Sequence, residues 1–455
     1  MSEIKSVRRC EEFYFYRIAR WMSWLFMAGS ILLLLSTCYK AEIIHQGEQS
    51  ARYFKYYVIF LTGVLFWGAV LRLKEEVRAN VVTVAVTLVV GLYLVEGAIH
   101  FLSFMQKPER VAAAAKLGIK YDKRTKLDVV EDLIAEGVDA VPMLSPAVFL
   151  HQGGLHKDDD MPWFPLGGVS NKTTVSANEN GKWSIYTSDR YGFNNPDFEW
   201  DSQQIDWLLT GDSFTHGLAV RPGEDIAGQV RFITNDSAIN VGCAGNGPLF
   251  ELAVLKEYAE HVRPKKVLWI YYEENDLIDD LQNEKEIPLL MNYLQDDFSQ
   301  NLINQQQEIN SSLTEYIAQA KVQAVPYKTG WMRLEAVRKL ISFDVEGEID
   351  VNPLFAKVLT KAKARTAAWG GELYFVYLPE WSRYSGLTAD HDQYRKKSVV
   401  IDVIKNLNIP VIDIHQGVFA DHPDPLSLFP FRMNGHYNAE GYSEVAKAII
   451  ANIKE

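Results

Sequence analysis

Cysteine is close to missing from this chain. Cys10, Cys38 and Cys243 are the three in 455 residues. Each stands in a different setting, so no disulfide framework is implied and the redox compartment stays open. A basic excess is missing as well. The 46 lysines and arginines face 58 aspartates and glutamates, a net charge of −12. That balance argues against a nucleic-acid partner, because binding phosphates takes a basic surface. No internal repeat and no low-complexity tract occurs. The length exceeds one ordinary domain, and the 48% of hydrophobic residues is ample for a packed core.

Charge is also absent from three long runs: Trp21 to Tyr39, Tyr56 to Leu71, and Asn80 to Val95, the last continuing through Glu96 toward Leu102. A bilayer core takes about 20 apolar residues per helix, so the three runs are expected to be transmembrane helices in a lipid bilayer. Three such runs in succession, with no small-residue cleavage site, argue against a cleaved signal peptide. Basic residues flank the first run (Lys5, Arg8, Arg9, Arg17, Arg20) and lie between the second and third (Arg72, Lys74, Arg78). By the positive-inside bias the chain starts in the cytoplasm, and three spans leave the large C-terminal part outside it. Lys107, Arg110, Lys116 and Lys120 pull against this orientation.

The expected organisation is a membrane region over 1–103, a connecting or cap region of mixed structure over 104–200, and a main domain over 201–455 with a helical insertion at about 279–350. Within 104–200, Arg124 to Gly137 is helix-like, and Gly181 to Asn195 reads as a strand entering a turn. The "HKDDD" of 156–160 reads as a solvated acidic turn rather than a metal site, and no metal or cofactor is expected. From about residue 201 short apolar strands alternate with helices: "IDWLLT" (205–210), "SAINV" (237–241), "KVLWIYY" (266–272), "ELYFVYL" (372–378) and "IPVIDI" (409–414). Strands of that kind belong in a parallel sheet covered on both faces, a doubly wound five-stranded α/β domain.

In such a sheet the chemistry sits where strands end. The first strand ends in "GDSFTHG" with Ser213, the second in "NVGCAGNGP" with Gly242, Gly245 and Gly247. The third ends in "YYEENDL" with Asn275 and Asp276, and "NGHYNAEG" with His436 precedes the last helix. Serine is a weak nucleophile until a neighbouring base takes its proton, and preorganised donors stabilise the oxyanion that follows. Thr215 sits where the second glycine of a G-x-S-x-G elbow would be, so this is not an α/β-hydrolase turn. His216 and His415 read as local hydrogen-bonding residues and Cys243 as a small packed one. Trp381 and Tyr384 either stack on a sugar or close the core.

The order GDS, N-x-x-x-x-G, N-D and a late H-x-N resembles the SGNH or GDSL hydrolases over 201–455, the insertion excepted. The resemblance implies Ser213 as nucleophile and His436 as base, with the oxyanion held by the Ser213 and Gly245 N–H groups and the Asn275 amide. Two positions depart from the family pattern. Glu273 stands where its third block opens with glycine, and Met433 where it has an aspartate three residues before the histidine. Asn434 is the nearest substitute for orienting His436. The other readings are a Ser–His dyad, an aspartate such as Asp413 or Asp424 recruited from elsewhere, or an impaired site.

The resemblance implies a membrane-anchored serine esterase that removes O-acyl groups, foremost O-acetyl, from a cell-surface carbohydrate. The alternatives are an O-acyltransferase using the same serine in polysaccharide modification, and a catalytically idle glycan-binding or scaffold module. The expected location is a bacterial inner membrane, with the catalytic domain facing out of the cytoplasm.

Overall fold

A computed structural model describes residues 2–44, 50–155, 163–322, 351–386 and 392–454. The acidic turn expected at 156–160 and the end of the insertion, 323–350, lie outside the described residues. The described chain forms two compact units, one up to Met105 and one from Gln106 onward.

The three uncharged runs lie, to within one residue at their ends, in helices Ser2–Cys38, Ser50–Val70 and Glu75–Lys116. Each is long and apolar enough to cross a membrane, over Phe13–Ile43, Tyr53–Val70 and Glu75–Ile99. The first two pack through the stacked rings of Phe26 and Trp67, 4.7 Å apart. Trp21, Leu25, Leu32, Leu65 and Leu88 point outward, each at least half exposed, an apolar surface that suits lipid and not water.

The second unit holds two sheets. The smaller has three strands, β1 (Ala140–Pro142), β2 (Thr173–Val175) and β3 (Ile185–Thr187), with β1 parallel and β3 antiparallel to β2. The larger is built from β4 (Trp207–Thr210), β5 (Ala238–Asn240), β6 (Lys266–Tyr272), β7 (Glu372–Leu378) and β8 (Val411–Asp413). Its order is β5-β4-β6-β7-β8 and every pair is parallel. These are the five strands read from the sequence, each trimmed by two residues or fewer at its ends.

Alternate residues of each strand enter different cores, as the two-residue repeat of a strand requires. Leu208, Val267, Trp269, Phe375 and Tyr377 meet Leu249, Phe250, Phe355 and Leu359 from helices Pro248–Val254 and Pro353–Ala368. Trp207, Leu209, Leu268, Ile270 and Val376 meet Ile226, Val230, Val445 and Ile449 from helices Ile226–Thr234 and Ala439–Lys454. Both faces are covered, so the domain is doubly wound. After β4 the chain turns to β5 on one side, and after β6 it turns to β7 on the other. The crevice between the ends of β4 and β6 is therefore the topological switch point, where open α/β sheets bind ligands. Ser213 and Asn275 follow those two strands.

Leu268 is fully buried in the middle of the central strand. Leu268→Ala is expected to cost about 2–5 kcal/mol, read by equilibrium denaturation of the detergent-solubilised chain. A cost below that range would count against the doubly covered sheet.

Candidate active site

Ser213 opens a single helical turn, Ser213–His216, directly after β4. Asp212 caps the turn by accepting the Phe214 N–H at 2.8 Å. The bend depends on Gly211: a β-carbon there would come within 2.1 Å of the Thr215 hydroxyl and 2.8 Å of the Ile270 carbonyl. Phe214 stacks on Tyr272 at 3.9 Å and lies 4.6 Å from the His436 ring. The serine thus sits on a rigid aromatic floor at the switch point.

His436 Nε2 is 2.8 Å from Ser213 Oγ, and its Nδ1 is 3.0 Å from Glu179 Oε1. The other Glu179 oxygen accepts the His436 backbone N–H at 2.8 Å. A carboxylate only accepts, so Nδ1 carries the proton and Nε2 presents its lone pair to the serine. Nδ1 is therefore held by Glu179 and not by Asn434, which corrects the sequence expectation. Asn434 instead turns its backbone carbonyl to the Arg110 guanidinium. Asp413 pairs with Lys397 and Asp424 with Arg432, so neither orients the histidine.

Glu179 lies in the hairpin between β2 and β3, and side chains pin that hairpin to the segment following the serine turn. Ser176 Oγ, Asn180 Nδ2 and Ser184 Oγ donate to the carbonyls of Leu218, Ala219 and Val220 at 2.8, 2.8 and 2.6 Å. From the other side Tyr121 OH and the Asp122 N–H donate to the carbonyls of Asn178 and Gly181. Gly435 completes the arrangement. A β-carbon there would fall 2.5 Å from Glu179 Oε2 and 2.8 Å from an Arg110 nitrogen. Glycine here leaves room for Glu179 to reach the His436 N–H and for Arg110 to reach the Asn434 carbonyl.

Burial alone would raise the Glu179 carboxyl, but the facing His436 and the Arg110 guanidinium, 3.9 Å away, outweigh it and hold it at about 2. Burial alone would lower the His436 imidazole. The charge and hydrogen bond of Glu179, with Asp212 nearby, override that and leave it above its ordinary value, while Arg110 pulls downward. Cys243 is buried and its thiol is pushed up to about 12, an inert packed residue. His216 is buried under Tyr186 and held at about 4 by desolvation, so it stays neutral. His415 Nδ1 meets Tyr384 OH at 2.7 Å.

A cavity of about 280 Å³ opens on the serine, lined by Asp212, Ser213, Phe214, Tyr272, Glu274, Asn275, Asn434, Gly435 and His436. Asn275 shares this lining, and its amide nitrogen donates to Asp280 at 2.6 Å. Gly245 is absent from the lining among the described residues. It sits in the turn after β5 with φ +76, its neighbour Ala244 accepting from Ser145 Oγ. Glu273 is not a gap in the pattern but an anchor. Its buried carboxylate accepts from Arg383 Nε at 2.9 Å, the Glu380 N–H at 2.8 Å and Tyr377 OH. It ties the start of the Asn275 turn to the 379–384 segment. Trp381 Nε1 of that segment donates to the Arg432 carbonyl, four residues before His436.

No protein-family model and no curated protein sequence matches the chain. Among solved structures it is similar to a putative lipolytic protein of the G-D-S-L family from Desulfitobacterium hafniense, at 12% identity and TM-score 0.30 over 55% of this chain and 99% of that one. It is also similar to a lipase/acylhydrolase from Enterococcus faecalis (15%, 0.32, 55% and 96%). A third is an acetylxylan esterase from Geobacillus stearothermophilus (14%, 0.30, 55% and 94%). At such identities and scores the likeness adds nothing to what the side chains of this site say.

His436 must be neutral to accept a proton, and its pKa lies above the ordinary imidazole value. Any activity is thus expected to fall with decreasing pH through a limb above that value. Glu179→Gln removes the charge that raises it, so the acid limb of kcat/KM should move to lower pH while kcat drops by up to about 10⁴. An unmoved limb would contradict the pairing. Asn434→Asp is expected to bring no gain in kcat, since the place at Nδ1 is taken.

Proposed function

We propose that this chain is a membrane-anchored serine esterase of SGNH type that removes short O-acyl groups, foremost O-acetyl, from a cell-surface carbohydrate. The observation that carries the reading is the continuous relay from Glu179 through His436 to Ser213, at the switch point of a parallel sheet. As Ser213 Oγ bonds to the acyl carbon, its proton passes to Nε2, and Glu179 stabilises the imidazolium that forms. The carbonyl electrons move onto oxygen, where the Ser213 N–H and the Asn275 amide, both from residues lining the cavity, are the candidate donors. Collapse breaks the ester C–O bond, and His436 gives its proton to the departing sugar alkoxide. Water then repeats the steps and frees the acid. Gly245, which stands outside the cavity lining, is retained in this proposal as a third donor on the strength of the family resemblance alone.

What favours an active enzyme over an idle module is Glu179. The idle reading drew on the aspartate missing at Met433, and a carboxylate at Nδ1 removes that argument. The carbohydrate and the acetyl group rest on the resemblance stated above, and the small cleft is compatible with a short acyl chain. The three apolar helices support the anchor, with the catalytic unit outside the cytoplasm and the bacterial inner membrane as the site of action. Acyl transfer to a sugar hydroxyl would use the same acyl-serine, and the product separates the two: free acid or a new ester.

A fluorophosphonate is expected to label Ser213 in the full-length protein, and Ser213→Ala to lose both labelling and release of acetate from an acetylated oligosaccharide. Asn275→Ala is expected to lower kcat by about 10²–10³, and Gly245→Ala to lower it less, through the strain that alanine meets at a φ of +76. Wild-type protein that neither reacts with the probe nor cleaves or transfers an acyl group would return the idle-module reading.

A further inference from the structure

The cleft at Ser213 carries a carboxylate that the relay does not use. Glu274 is exposed, sits between the anchored Glu273 and Asn275, and lines the cavity with the serine. Its position is fixed: Tyr272 OH donates to Glu274 Oε2 at 3.1 Å, and Tyr272 is itself stacked on Phe214. Among the described residues lining this cavity there is no lysine or arginine. The nearby Arg110 is engaged with Glu179 and the Asn434 carbonyl. Asp212, the other carboxylate in the lining, is buried beneath the serine and receives the Phe214 N–H. Lys182 and Arg221 border a separate cavity of about 380 Å³ with Trp183, and Arg221 is paired there with Glu224.

We propose that Glu274 is a specificity-determining residue that makes the cleft a charge filter, admitting esters on neutral glycans and turning away esters on anionic ones such as uronic-acid polymers. The inference rests on the esterase reading of the same site. A uronate carboxylate one sugar ring from the scissile ester would lie within a few ångströms to one Debye length of Glu274, close enough for like charges to repel measurably. A neutral sugar meets no such penalty, and the exposed Glu274 oxygen is free to accept from its hydroxyls. The net charge of the whole chain, −12, acts in the same direction at longer range.

The test compares kcat/KM of the full-length protein on an O-acetylated neutral oligosaccharide and an O-acetylated oligouronate of equal length, with 4-nitrophenyl acetate as an uncharged reference. The wild type is expected to prefer the neutral substrate. Glu274→Gln should raise the ratio of oligouronate to neutral kcat/KM by about three- to tenfold, and Glu274→Lys should raise it further. The wild-type preference should shrink at 1 M salt, where the Debye length is about 3 Å. Because the readout is a ratio within one preparation, partial misfolding of a variant does not mimic it. A ratio that neither variant moves, or a wild type that prefers the oligouronate, overturns the filter while leaving the esterase reading intact. Failure to cleave all three esters overturns the esterase reading, and the filter with it.

Discussion

A carboxylate from the β2–β3 hairpin meets Nδ1 of His436, and the rest of the site is arranged around that contact. It fixes the tautomer, so that Nε2 faces Ser213 with a lone pair. It also stabilises the charged imidazole that a proton transfer from serine would create. The contact needs room, which Gly435 leaves, and a counter-charge, which Arg110 supplies. Each of these comes from a different part of the chain, so the relay forms only when the described residues from Gln106 onward fold together.

The sheet explains why those parts converge. The strands are parallel, but the chain crosses to opposite sides after β4 and after β6, and the two loops diverging from that point leave a crevice with Ser213 on one side and Asn275 on the other. The last helix brings His436 in through Tyr437, whose hydroxyl donates to the Pro379 carbonyl at 2.6 Å. Glu273 then locks the 379–384 segment to the start of the Asn275 turn. Polar groups buried this deeply are costly to leave unpaired, and those of Glu179, Glu273 and Tyr437 join one element of the site to another. The hydrogen bonds serve alignment as much as stability.

Much of this was legible in the sequence because it is local and periodic. The five strands announce themselves as short apolar runs, and Ser213, Asn275 and His436 stand at strand ends or just before a helix. Glu179 was not legible. It lies in "SANENGKWS", a loop stretch with no period, more than 250 residues from the histidine it serves, and no spacing rule links the two. Proximity in sequence points to Asn434 as the orienting residue, but its backbone carbonyl faces Arg110 and Nδ1 is taken by Glu179. Glu273 looked like a departure from the expected glycine, and only the fold reveals Arg383 and the Glu380 N–H as its partners. Local pattern carries the secondary structure, while the closing contacts of a site are long-range and appear only once the chain is folded.

The central claim is that Glu179 holds the proton of His436 Nδ1 in the resting protein. The most direct measurement is the imidazole ¹H–¹⁵N spectrum of the full-length protein labelled at histidine. A far-downfield proton is expected on Nδ1 of His436, lost or moved strongly upfield in Glu179→Gln and kept in Asn434→Ala. An Nδ1 proton that ignores the Glu179 substitution and vanishes with Asn434 would contradict it.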